Sequence, residues 1–215
     1  FGDGAAALSV GDDDVIAEFK GSYSLSMDFV DHYRGADQKY DYVWEERWTR
    51  DAGYGEIIPR VVNGLFDKLG ISMDDVDRLV YPCFFKRDHR SIAAGLGATP
   101  EKLVDNMHEV CGETGAAHSF MMFISALEEA KPGDRILMCG FGQGANALYF
   151  EVTDNITRLA GRNGVAGSLA NKKTTDNYLK WLKFRDLIKT EMGIRAEAPT
   201  QTATSVLWRK NKMIM

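Results

Sequence analysis

Residues 131–153 read KPGDRILMCGFGQGANALYFEVT. KPGD is a turn, RILMCGF an apolar run of strand length, GQGAN a tight glycine loop, and ALYFEVT a second run of strand length. Two strands joined so closely predict an antiparallel hairpin in a sheet. Just upstream, Thr114 to Ala130 is apolar nearly all round, which predicts a helix that must be covered on every side.

Working outward, IIPRVVNGLFDKLG places Ile58, Val61, Val62, Leu65, Phe66 and Leu69 on one helical stripe, with Gly70 as its C-cap. ISMDDVDRLVYP predicts an acidic loop and a short buried strand, Arg78–Tyr81, ended by Pro82. DHRSIAAGLG contains a helix. Thr99 N-caps a further helix in TPEKLVDNMHEV, with Pro100 at its first position. Residues 4–10 and 14–24 read as two strands around GDDD. Residues 25–56, rich in Tyr, Trp and acids, lack a clean period and form an irregular insertion that packs as a loop or lines a cleft or subunit contact. Beyond 155 come a polar Gly/Asn/Lys linker, an amphipathic helix in DNYLKWLKFRDLIKTEM and a tail ending in SVLWRKNKMIM. Strands alternating with helices predict an α/β core. The expected organisation is a domain over 1–155, then linker, helix and tail over 156–215.

The composition is that of an ordinary globular chain, with 27% charged and 45% hydrophobic residues. The net charge of −5 and the scattered basic residues argue against a nucleic-acid surface. Cys83, Cys111 and Cys139 are widely spaced and form no C-x-x-C pair, so reduced thiols in a cytoplasmic protein are expected. The possible ligands lack a usual zinc spacing, and no apolar stretch has the length of a membrane span. The opening on Phe1, followed by a Gly-Asp-Gly turn, reads as the interior of a longer polypeptide or one whose partner supplies something upstream.

Three landmarks stand in order: FGDGAAAL at the start, GETGAA at the buried helix, and KPGDRILMCGFGQG in the last strand and loop. This order resembles the C-terminal half of the thiolase superfamily over about residues 1–155, nearest the hydroxymethylglutaryl-CoA synthase and ketoacyl synthase III branch. The tail resembles the C-terminal extension of archaeal-type synthases, and SVLWRKNK resembles a segment leading into an OB-fold and zinc-ribbon acyl-CoA-binding module. The resemblance implies a layered α-β-α half of an αβαβα sandwich with a buried central helix. It implies carbon–carbon bond formation or cleavage next to a thioester, with acyl-CoA as substrate and no cofactor. It places the nucleophilic cysteine in an N-terminal half or a second thiolase-like subunit, within a dimer or larger complex.

The family's histidine follows the strand at 78–81, where this chain has Pro82, and its GNT asparagine is Glu113 here. Phe85 replaces another polar position, while Arg87 matches a basic residue that meets the CoA phosphate. A carboxylate donates no hydrogen bond unless protonated, so the donor pair for a thioester carbonyl is gone. Glu113 is then a general acid/base with a pKa raised by burial, or the site has lost condensation chemistry, or the residue is a first-turn acid facing the helix dipole. Cys83 is a thiol at the same cleft or a small buried hydrophobe. His118 and His89 read as structural. Gly140, Gly142 and Gly144 are expected to let the backbone approach the acyl thioester and offer amides to an oxyanion. The alternative to an enzyme half is a degenerate, non-catalytic partner subunit that stabilises an active relative or docks an OB-fold module onto it.

Overall fold

The protein is described from a computed structural model over residues 2–190. The chain divides into two compact units, Phe1–Lys172 and Lys173–Met215. In chain order the first unit holds β1 (Ala17–Ser26), β2 (His32–Tyr33), β3 (Tyr42–Val43), α1 (Glu46–Trp48), a π-helical turn (Thr49–Tyr54), α2 (Gly55–Leu69) and β4 (Arg78–Val80). There follow α3 (Lys86–Gly95), α4 (His108–Cys111), α5 (Ala116–Glu128), β5 (Arg135–Gly142), β6 (Gly144–Val152) and α6 (Gly164–Ala170). In the second unit, α7 spans Tyr178–Phe184.

The core is a four-stranded sheet in the order β1-β6-β5-β4. β5 and β6 form the expected antiparallel hairpin, with Gly142 opposite Gly144 and Gln143 at its tip. Its turn requires glycine at 144: φ is +99°, and a Cβ there would run into the carbonyl of Leu25 on β1. β1 pairs antiparallel with β6, and β4 pairs parallel with β5.

The period-two alternation of β5 sorts its side chains onto two cores. Leu137 and Cys139 face α2, joining Ile57, Ile58, Val61, Val62 and Leu65 with Leu79, Ala147 and Tyr149. Ile136 and Met138 face α5, joining Met122, Phe123, Ala126 and Leu127 with Val80 and Val152. The result is a sheet flanked by a helix on each face. Gly70 caps α2 in the left-handed conformation, φ +67°, as its sequence position requires.

Several expectations change. Residues 4–10 form no strand and are largely exposed; only the second of the two predicted strands exists. The predicted helix from Thr99 is instead a turn, a bridge between Leu79 and Leu103, and irregular backbone to Met107. The Leu79 N–H donates to the Lys102 carbonyl at 2.7 Å and the Val104 N–H donates to the Leu79 carbonyl at 3.0 Å, so sheet pairing overrides the local helical pattern. The helix resumes for one turn only, at α4, after Met107 takes φ +60°. α5 is covered on the sheet side, but Phe120 is 44% exposed and Met121 and Ile124 are half-buried, so an apolar stripe on this helix is left partly open. The amphipathic helix of the C-terminal unit is confined to α7, and the tail from Gly193, with SVLWRKNK, lies outside the described residues.

Candidate functional site

The break between α4 and α5 sets the site. α4 presents His108, the Gly112–Gly115 turn presents Glu113, and the first turns of α5 present His118. Glu113 Oε2 lies 2.7 Å from His108 Nε2, with the side chains 17% and 10% exposed. Glu113 Oε1 accepts the Gly115 N–H at 2.8 Å and sits 4.0 Å from His118 Nδ1. Both carboxylate oxygens therefore have a partner.

The tautomer of His118 follows from its neighbours. Its Nε2 lies 2.7 Å from the Asn106 carbonyl, an acceptor only, so Nε2 carries the proton. Its Nδ1 then accepts from the Thr114 hydroxyl at 3.1 Å and from the Thr114 N–H at 3.4 Å. Asn106 also donates through Nδ2 to the Cys83 carbonyl at 2.8 Å, tying the segment after β4 to the mouth of α5. The rings of His108 and His118 stack with centroids 4.1 Å apart, and Phe84 meets His108 edge-on at 6.3 Å. His108 Nδ1 is buried and has no hydrogen-bond partner among the described residues.

Burial works to raise the proton affinity of Glu113, but the His108 hydrogen bond and the Gly115 N–H outweigh it and hold the carboxyl below its ordinary range. This reverses the expectation of a raised pKa. Burial lowers the affinity of His118 for a second proton, in keeping with its neutral tautomer.

One donor atom from each of His108, Glu113 and His118 lies within 4.8 Å of the others, and two imidazoles with a carboxylate are a set that zinc accepts. The rings as placed do not suit an ion. Imidazole lone pairs lie in the ring plane, and these planes stack at 28°. The lone pairs run alongside each other and do not converge at a point about 2.1 Å from both nitrogens. The trio is a hydrogen-bonded acid–base cluster.

The other residues singled out in the sequence distribute unevenly. Gly140, Gly142 and Gly144 line an open cleft of about 480 Å³ with Ser22, Ser24, Ser26, Gly115 and Phe120. Glu113 reaches the rim of this cleft through its bond to Gly115. Cys83 is fully buried in the α2-side core, its thiol 3.6 Å from the Phe85 carbonyl, and burial pushes its pKa up to about 12. The thiolate is the nucleophilic form, so Cys83 is a core residue here and not a second nucleophile. Pro82 is buried beside it and offers no donor. Arg87 is exposed on α3, away from the lining of the cleft. Sequence reading missed His108 and Asn106; the signal was a histidine five residues before an unexpected carboxylate, hidden by the expected helix.

The family model for the C-terminal part of 3-oxoacyl-[acyl-carrier-protein] synthase III matches residues 66–150. Hydroxymethylglutaryl-CoA synthase of Caldivirga maquilingensis is 32% identical over 195 residues, which cover 89% of this chain and 56% of that protein. Among solved structures, a hydroxymethylglutaryl-CoA synthase complexed with CoA superposes with a TM-score of 0.57 at 16% identity, covering 82% of this chain and 48% of that one. The 3-oxoacyl-[acyl-carrier-protein] synthase III of Aquifex aeolicus gives 0.56 at 18% identity, covering 65% and 46%. The chain spans about half the length of the relatives it matches. With its hairpin, its flanking helices and the landmarks in their order, the chain is a thiolase-like protein near the hydroxymethylglutaryl-CoA synthase and ketoacyl synthase III branch.

Proposed function

We propose that the chain is the C-terminal half or subunit of an acyl-CoA enzyme of the hydroxymethylglutaryl-CoA synthase type, which makes or breaks a carbon–carbon bond next to a thioester. The nucleophilic cysteine is supplied by an N-terminal half or a second thiolase-like subunit, in a cytoplasmic complex of dimeric or larger size. The observation that carries this reading is the acid–base cluster around Glu113, set beside a glycine hairpin whose backbone lines an open cleft. The exposed stripe on α5 fits a missing second layer, and the length of the relatives fits a missing half. Backbone amides of Gly140–Gly144 receive the charge that develops on the thioester oxygen, and Arg87 meets the CoA phosphates. No cofactor is called for by this chemistry; acyl-CoA is the substrate.

The test combines the chain with the polypeptide that co-purifies with it and follows release of free CoA from acetyl-CoA. Turnover is expected only in the combination, and Glu113→Gln is expected to cut it at least tenfold. Unchanged turnover in that variant removes Glu113 from the mechanism. Pro82 and the burial of Cys83 favour one other reading, a non-catalytic partner subunit that stabilises an active relative or docks an OB-fold module onto it. A complex that assembles normally with Glu113→Gln but loses its turnover excludes it.

A further inference from the structure

His108 is the one member of the cluster with an unused functional atom. Its Nε2 is engaged by Glu113, whereas Nδ1 is buried without a partner among the described residues. Buried polar atoms are nearly always satisfied, so an orphan next to a tied-down carboxylate is an exception that points to a ligand. Everything around this ring is fixed. Glu113 is held by the Gly115 N–H, and the ring stacks on His118, which is locked by the Asn106 carbonyl. Asn106 in turn holds the backbone of Cys83, next to Pro82.

Resting on the proposed acyl-CoA reading, we infer that His108 is a further acid–base residue of this site, oriented by Glu113 through Nε2 and offering Nδ1 to the substrate's carbonyl oxygen. The protons balance simply. With both ring nitrogens protonated, Nε2–H donates to the Glu113 carboxylate and Nδ1–H donates to the oxygen. As an attacking carbon nucleophile's electron pair forms the new bond to the carbonyl carbon, the C=O π-bond breaks and its electrons move onto that oxygen. If transfer completes, the N–H bond breaks, an O–H bond forms, and His108 remains as neutral imidazole still donating Nε2–H to Glu113. His118 takes no part in the transfer: its tautomer is fixed, and it is a positioning residue. Phe84 packs edge-on against His108, with ring centroids 6.3 Å apart.

Two measurements decide the matter. Long-range proton–nitrogen NMR of the histidine-labelled full chain is expected to show His108 with an Nε2 proton shifted far downfield, and Glu113→Gln is expected to abolish that signal. An unchanged His108 spectrum in Glu113→Gln overturns the inference. In the assembled complex, His108→Leu is expected to lower kcat at least tenfold with little change in KM, and His108→Gln, which restores a donor, to recover part of it. Wild-type turnover that His108→Leu leaves intact sinks the inference while the acyl-CoA reading stands. If the assembled wild type turns over no thioester but the Glu113-dependent signal is present, the acyl-CoA reading fails and the inference falls with respect to that substrate. The oriented pair is then all that is left.

Discussion

Acid should destabilise the first unit through one residue remote from the hairpin, His89. It lies within α3, is 4% exposed, and packs its ring 4.6 Å from that of Tyr81. Its Nε2 has no partner among the described residues, while the Tyr81 hydroxyl donates to its backbone carbonyl. Burial pulls its pKa down from 6.5 to about 4, despite the opposing Tyr81 and Asp105 contributions. The folded chain therefore keeps His89 neutral at a pH where the unfolded chain protonates it. Between about 4 and 6.5 the unfolded state binds more protons, so stability rises with pH. The contribution is complete above 6.5 and is lost as pH falls toward about 4. At about 1.4 kcal/mol per pH unit, the gap amounts to about 3 kcal/mol, a large fraction of a typical domain's stability. His118 and Glu113, both with lowered values, also favour stability at higher pH, so a variant must isolate His89. His89→Phe keeps a ring against Tyr81 and removes the titration. Urea unfolding at several pH values should show the wild type losing about 3 kcal/mol more than the variant between neutral pH and pH 4. Parallel stability curves for the two proteins would refute the burial argument.

Gly144→Ala should lower stability by about 3 kcal/mol or more, because the left-handed backbone and the Leu25 carbonyl both oppose a Cβ. Gly140→Ala, where a Cβ meets nothing within 4 Å, should leave the thermal midpoint nearly unchanged. Equal midpoints for the two variants would contradict the tip geometry. With a thiol reagent under native conditions, half-buried Cys111 should react first, while buried Cys83 and Cys139 should react only on unfolding. Fast native labelling of Cys83 would show that it is open to solutes after all.

The hairpin, α2 and β4 were legible because their signals are local: alternating burial, a 3.6-residue stripe, a glycine at each required turn. The segment from Thr99 was not, because its good helical pattern competes with backbone pairing to Leu79 that no local window contains. That one misreading concealed most of the site. A helix through 99–110 carries His108 along with the chain, whereas the real path turns at Met107 and sets the ring against Glu113. Glu113 itself stood out as a carboxylate where the resemblance expects an amide. Its lowered pKa did not, since burial alone argues the other way and the histidine that outweighs it was out of view.

The pairing of β1 with β6 ties the beginning of the described chain to its last long strand, whereas β5 and β6 are neighbours in sequence. Loop-closure entropy makes the hairpin the easier pairing to form and leaves β1 to arrive late. Until it does, β6 presents a row of unclaimed amides and carbonyls, the kind of border onto which a second chain adds a strand. A polypeptide shortened past Ser26 would shift the open border of the sheet from β1 to β6 and leave that longer-range partner unclaimed for good.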